Sequence, residues 1–130
     1  MATDQAKIKD DTIRWFKAFS DRDVNQLDKL ADEIFDTTFI LHSPNFPNVE
    51  RGPNGMKKFI RGIFEDTSAV RTFTVDDMLG EGNKLAIRFT VHRTNASNGK
   101  VTQSPVILIA HYAGDKIVEE WQLAGPHEEA

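Results

Sequence analysis

Three segments in the first half of the chain place hydrophobic residues every three or four positions, the spacing that lines one face of an α-helix. The first covers about residues 4–20. The second begins at Asp23, whose carboxylate can cap the helix while Gln26 reaches back toward it. The third opens with Gly52-Pro53, because proline has no backbone N–H to leave unbonded in a first turn. The apolar stripes are Ile8, Thr12, Trp15, Phe16 and Phe19; Leu27, Leu30, Ala31 and Ile34; and Met56, Phe59, Ile60, Ile63 and Phe64.

After Thr67-Ser68 the period of the pattern changes from 3.6 residues to 2, which is typical of half-buried β-strands. A short strand, Thr37–His42, is also expected between the second and third helices. The run Val106–Ala110 is apolar without alternation, so we expect both of its faces to be covered. Four longer strands, separated by polar turns that contain glycine, are predicted at about residues 72–79, 85–92, 101–112 and 116–123.

Helices followed by strands favour an α+β fold in which the helices pack on one face of a sheet. We expect a curved antiparallel sheet wrapped around three N-terminal helices, in a single domain over residues 1–130. Such a cone has an interior that side chains can fill or that a ligand can occupy.

Composition and charge exclude several classes of function. The formal net charge is −4, which argues against nucleic acid or an anionic membrane as a partner. The absence of cysteine excludes disulfides, thiolate metal sites and thiol nucleophiles. No apolar run approaches the roughly 20 residues that span a bilayer. We therefore expect a cytoplasmic protein.

Motifs for nucleotide, nucleophile and metal chemistry are missing from the sequence. There is no phosphate-binding loop and no serine in a nucleophile elbow. The four histidines form no pair with the spacing of metal ligands, so we expect no metal site. Chemistry is therefore expected from side chains that face the interior.

His42 is the first candidate for such chemistry, because it ends the short strand that carries Phe39. An imidazole has an ordinary pKa of about 6.5 and can act as an acid or a base near neutral pH. In a cavity lined by Phe39, Phe46 and Phe59, His42 would be the catalytic group. The alternative is a histidine that only hydrogen-bonds a loop carbonyl.

The last strand supplies two further candidates, since Glu119 and Trp121 alternate with Ile117 on one predicted face. Glu119 is either neutralised by Arg88 or Lys84, or has a raised pKa and transfers protons. Trp121 is either a plain core residue or places its indole N–H where negative charge develops.

The remaining histidine and aromatic positions leave alternatives open. His111 is expected on the opposite face of its strand, unless a bulge or a slip in register turns it inward. The aromatic stripes of the helices are typical of a core but could equally line a pocket, and periodicity cannot separate the two.

The sequence resembles the SnoaL-like polyketide cyclase family of the nuclear transport factor 2-like superfamily, from about Asp10 to Gly125. The order and spacing of several segments carry this resemblance. They are Thr12-Ile13-Arg14-Trp15-Phe16, Phe39-Ile40-Leu41-His42-Ser43-Pro44, Arg51-Gly52-Pro53-Asn54-Gly55, Gly82-Asn83-Lys84-Leu85-Ala86-Ile87-Arg88-Phe89 and Gly114-Asp115-Lys116-Ile117-Val118-Glu119-Glu120-Trp121.

The resemblance implies a nuclear transport factor 2-like, or cystatin-like, cone with an apolar pocket for a small hydrophobic molecule. It also implies a homodimer through the outer sheet face and no metal or organic cofactor. His42 matches the family's pocket histidine, whereas Gly125 and Leu123 stand where relatives carry an acid. The expected pocket residues are Trp15, Phe19, Phe39, Phe46, Phe59, Ile63, Phe89, Glu119 and Trp121.

Two functions follow as hypotheses. The first is a cofactor-independent enzyme that acts on a small hydrophobic carbonyl compound, polyketide- or terpenoid-like, by cyclisation, isomerisation or dehydration. The second is a binding protein of the same fold that has lost the chemistry, as Gly125 in place of the usual acid suggests.

Overall fold

Three α-helices and six β-strands make up residues 2–130, the part of the chain that the computed structural model describes. The three predicted helices and the five predicted strands are all present. No helix within that range combines the length and the hydrophobicity needed to cross a bilayer. The elements are α1 (Gln5–Ser20), α2 (Val24–Ile34), β1 (Phe35–His42), α3 (Gly52–Glu65), β2 (Ala69–Glu81), β3 (Lys84–Asn95), β4 (Val101–Ala113), β5 (Lys116–Ala124) and β6 (Glu128–Glu129).

Each helix begins where local chemistry can satisfy its free backbone donors. The Asp4 carboxylate accepts from the backbone N–H of Lys7 at α1. The Asp23 carboxylate accepts from the N–H of Gln26 at α2, which is one half of the predicted capping box. Pro53 lies in the first turn of α3, as its missing N–H favours.

The strands form one curved, open sheet in the order β1-β5-β4-β3-β2, and β6 pairs with β4. Strands β2 to β5 are antiparallel, as predicted. The prediction of an all-antiparallel sheet is wrong for β1, which pairs parallel to β5. A parallel pair needs a long connection, and α3 with β2, β3 and β4 supplies it. The sheet is therefore mixed.

The concave face of the sheet packs against the helices and forms the core. Ile8, Leu30 and Leu85 are completely inaccessible to solvent there. Within one chain, alternation along β4 leaves only one side of Val106–Ala110 covered, although the sequence predicted cover on both sides. Ile107 and Ile109 point outward and are 55% and 44% exposed. The inner face thus belongs to the core, and the outer face carries an uncovered apolar strip.

Candidate active site

A cavity of about 270 Å³ lies between the helices and the concave face of the sheet. Its walls are largely apolar, so a ligand inside would be shielded from water. Six of the nine predicted pocket residues line it: Trp15, Phe19, Phe46, Phe59, Ile63 and Phe89. The polar side chains that reach it are Thr12, Asn45, Arg71, Ser104, Tyr112, Glu120, Gln122 and His127.

A β-bulge in β5 decides which residues of that strand face the cavity. His111 pairs with Glu119 and Tyr112 pairs with Ile117, so Val118 is left without a partner in β4. One extra residue reverses the side on which all later side chains lie. Ile117 and Glu120 consequently line the cavity, while Glu119 and Trp121 lie on the outer face of the sheet.

The predicted placement of four site residues is corrected by this geometry. His42, Glu119 and Trp121 do not line the cavity. The His42 side chain ends β1 on the same outer face, because His42 pairs with Trp121 across the parallel strands. Phe39 is fully buried but packs against Phe35 in the core rather than lining the cavity.

His42, Glu119 and Trp121 instead form a cluster on the outer face, which also includes His111. The Nε2 atom of His42 lies 2.7 Å from Oε2 of Glu119. The imidazole stacks on the Trp121 indole, with ring centroids 5.2 Å apart. His111 meets the same indole edge-on at 4.8 Å. His111 faces outward, as predicted, and Glu119 pairs with a histidine rather than with Arg88 or Lys84.

Glu120 is the carboxyl group that the cavity contains, although strict alternation along its strand predicts that it faces outward. Its side chain is only 6% exposed, and no ion pair or hydrogen bond to it is formed within residues 2–130. Burial raises its pKa from an ordinary value of 4.5 to about 8. Glu120 is therefore a neutral carboxylic acid at pH 7 and can donate a hydrogen bond into an apolar space.

Tyr112 lies near Glu120, because the direct cross-strand partner of Glu120 is Ala110, two residues from Tyr112 on the same face of β4. Burial raises the pKa of the Tyr112 hydroxyl above its ordinary value, and the neighbouring Thr12 hydroxyl lowers it again in part. The charge of an ionised Glu120 would raise it further. Tyr112 thus keeps its proton and adds a second O–H donor beside the carboxyl group.

The cavity opens to solvent near the C-terminal end of the described chain. Asn45 and Phe46 on one side, and Ala124 and His127 on the other, line the cavity and are exposed. The pKa of His127 is lowered by burial, and then by the charges of Arg93 and Arg71. His127 is therefore a neutral imidazole at pH 7 and can accept a proton.

Gly125, the position at which the family resemblance implies an acid, lines the cavity. A Cβ atom there would lie 2.9 Å from Cγ of Pro105. An aspartate at this position would require Pro105 to move. Pro105 thus occupies the space that a side chain at this position would need, and the carboxyl group on the cavity wall is that of Glu120.

No group of three or more His, Asp or Glu side chains with the arrangement of a metal site occurs among the described residues. The polar groups of the cavity are instead single donors and acceptors spread over several strands. They suit hydrogen bonding and proton transfer.

Comparison with known proteins places this geometry in a family. A family model described as "SnoaL-like domain" matches residues 12–120. No curated protein sequence matches the chain.

Solved structures share the fold at low sequence identity. IdmH of Streptomyces antibioticus, whose assignment as a polyketide cyclase is provisional, has a TM-score of 0.73 and 18% identity, covering 90% of this chain and 91% of its own. TsrD of Streptomyces laurentii has a TM-score of 0.74 and 23% identity, covering 93% and 90%. An NTF-2-like protein of unknown function from Burkholderia xenovorans has a TM-score of 0.67 and 21% identity, covering 97% and 88%. The protein belongs to the SnoaL-like domain family and has the nuclear transport factor 2-like cone fold.

Proposed function

We propose that this protein is a cofactor-independent enzyme that acts on a small hydrophobic carbonyl compound by proton transfer. The observation that carries the proposal is Glu120, a buried carboxyl group that faces an apolar cavity without a protein partner. Burial of an unpaired carboxyl group costs stability, so it is retained where it serves a ligand. Glu120, rather than His42, is the proposed catalytic acid.

In this mechanism the aromatic walls exclude water from the reacting carbonyl. Glu120 and Tyr112 donate hydrogen bonds to the carbonyl oxygen and stabilise the negative charge that develops on it when an α-proton is lost. The neutral imidazole of His127 is the proposed base for that proton. Cyclisation, isomerisation and dehydration of a polyketide- or terpenoid-like ketone all proceed through such an enolate.

Variants of His42 and Glu120 distinguish the two candidate acids. A thermal-shift screen of hydrophobic ketones identifies ligands, and a product assay then shows which of them the protein converts. With such a substrate, His42→Ala should retain at least half of the wild-type kcat/KM. The reason is that His42 lies outside the cavity and touches only the outer cluster. Loss of turnover in His42→Ala, with ligand binding retained, would return the catalytic role to His42.

The second candidate function is a binding protein of the same fold. It is favoured by Gly125, since the usual acid is absent and Pro105 fills the space that its side chain would need. Ligands that bind the wild type and the Glu120→Gln variant equally, with no turnover in either, would support this alternative.

We also propose that two copies of the chain pair through the outer face of the sheet. Leu123, Ile107 and Ile109 are 64%, 55% and 44% exposed and are neighbours in the β4–β5 ladder, where Trp121 completes the patch. Such a contiguous apolar surface favours association. Residues of the His42 cluster lie at its edge and would be covered in the dimer.

Introducing a charge into this patch should break the dimer. Ile109→Glu is expected to give a monomer in multi-angle light scattering at tens of micromolar, because a carboxylate would be buried against a second copy. Ile13→Glu, at an isoleucine on α1 that is 51% exposed, is the matched control and should stay dimeric. A monomeric wild type at that concentration would contradict the proposal.

A further inference from the structure

Two arginines are cross-strand neighbours on the concave side of the sheet, one in the lining of the cavity and one just beyond it. Arg71 of β2 and Arg93 of β3 are direct cross-strand partners, and Arg71 lines the cavity. Arg93 lies on the same face, because it follows Val91 at a spacing of two residues and Val91 also lines the cavity. Like charges directly opposite each other destabilise a sheet. A negative charge beside the two guanidinium groups would therefore stabilise this part of the sheet.

The protein supplies a carboxylate to only one of the two arginines. The carboxylate of Asp66 lies 3.1 Å from the Arg71 guanidinium. Arg93 is half-buried, and it forms no ion pair or side-chain hydrogen bond within residues 2–130. Glu129 of β6, the cross-strand partner of Thr102, is bound to Lys100 instead. The Arg93 guanidinium, next to the lining residue Arg71, is left without a counter-charge.

A second unsatisfied group lies next to Arg93. Thr102 of β4 is the direct cross-strand partner of Arg93, and its Oγ1 atom is buried with no hydrogen-bond partner. A hydroxyl group can donate to an anion, and a buried hydroxyl without a partner costs stability. The free guanidinium and the free hydroxyl are thus placed side by side.

We infer that the ligand of this cavity is an amphipathic carboxylic acid. Its apolar body fills the aromatic cavity, and its carboxylate extends past Arg71 to bind Arg93 and the Thr102 hydroxyl, which lie just beyond the cavity lining. The inference rests on the proposed function and adds to it the chemical class of the substrate, a keto acid with an apolar skeleton. A planar carboxylate matches the fork of a guanidinium. Arg93 and Thr102 are binding and specificity residues in this arrangement, and neither takes part in the proton transfer.

The ligand charge and the site can be varied independently to test this. The probes are 2-naphthylacetate and its neutral counterpart 2-naphthylacetamide, measured by isothermal titration calorimetry at pH 7. The wild type should bind the acid about tenfold more tightly than the amide, a ratio typical of one charge-assisted contact. In Arg93→Gln this preference should vanish, while affinity for the amide stays within twofold of wild type.

Two further variants keep the result interpretable. Arg88→Gln, on the outer face near Asp76, removes the same charge from the protein but should keep the full preference for the acid. Thr102→Val should reduce the preference about threefold, and it tests the site even if Arg93→Gln folds poorly. Equal binding of acid and amide by the wild type, or a preference that survives in Arg93→Gln, would overturn the inference.

The experiment also separates this inference from the proposed function. The acid preference is a binding measurement and needs no turnover. If the preference appears and is lost in Arg93→Gln, the inference stands even where Glu120→Gln leaves turnover intact and the catalytic proposal fails. If Glu120→Gln abolishes turnover of a neutral ketone and the acid is not preferred, only this inference fails.

Discussion

Replacing Glu120 by glutamine is expected to abolish turnover and, at the same time, to stabilise the protein. Burial raises the pKa of Glu120 to about 8, so the folded state holds this proton more tightly than the unfolded chain does. Between the unfolded value of 4.5 and the folded value of about 8, raising the pH therefore lowers the free energy of unfolding. Below that window the carboxyl group is neutral in both states and carries no penalty.

The size of this effect makes it measurable. Two to three pKa units correspond to about 3 kcal/mol near pH 7, or roughly 10 °C in Tm for a chain of this length. In urea denaturation at pH 7, the free energy of unfolding of Glu120→Gln should exceed that of the wild type by this amount, and the difference should vanish below pH 4.5. Its turnover should fall at least 100-fold, since an amide is a much weaker acid than the carboxyl group that stabilises the developing charge on the carbonyl oxygen.

Glu119→Gln is the matched control, one residue away on the other face of the sheet. Its side chain is 38% exposed and pairs with His42 near solvent, where an ion pair contributes little stability. Stability and turnover of this variant should stay close to wild type. A Glu120→Gln protein that is no more stable than Glu119→Gln at pH 7 would show that Glu120 is already ionised or satisfied.

The pH profile of turnover has a defined sign in this mechanism. An acid that must be protonated loses activity as the pH rises through its pKa, so kcat/KM should decline through about pH 8. Activity that rises through that value would make the ionised Glu120 a base instead. The profile would then exchange the roles proposed for Glu120 and His127.

The fold was largely predictable from the sequence because its signals are local. Helical stripes, the Asp23 cap and the turns between strands each depend on neighbouring residues, and the structure contains all of them. The parallel pairing of β1 with β5 was not predictable in this way. The pairing depends on the direction in which β5 runs after the three intervening strands β2, β3 and β4. No residue in Phe35–His42 indicates that β5 will run parallel to β1.

The candidate site was less predictable than the fold, because one residue without a cross-strand partner, Val118, decides which side chains of β5 face the cavity. Alternation along β5 placed Ile117, Glu119 and Trp121 together, but the bulge at Val118 separates Ile117 from the other two. Of two adjacent glutamates, the structure buries the one that strict alternation places outside. The adjacent pair Glu119-Glu120 was a signal in itself, since one of two neighbouring strand residues must face the interior.

The second large effect is a loss of stability, expected from a substitution of Gly55 in the first turn of α3. A Cβ atom at this position would lie 1.8 Å from the backbone carbonyl oxygen of Glu50. Gly55→Ala therefore forces the preceding segment away from the helix, and we expect a loss of at least about 3 kcal/mol in the free energy of unfolding. That segment carries Phe46, which packs on Phe59 at the cavity mouth with ring centroids 4.8 Å apart.

Gly62→Ala in the same helix separates this steric effect from helix propensity. A Cβ atom at Gly62 has no neighbour within 4 Å, so alanine there should stabilise the protein by about 0.5–1 kcal/mol. Urea denaturation of both variants measures the difference in their stability. Calorimetry with 2-naphthylacetamide measures whether a displaced Phe46 weakens ligand binding at the mouth of the cavity. Gly55→Ala should weaken binding of the amide at least fivefold, and Gly62→Ala should leave it unchanged. Equal stability of the two variants would mean that the segment before α3 yields without cost, and Phe46 would then not be a fixed wall of the cavity.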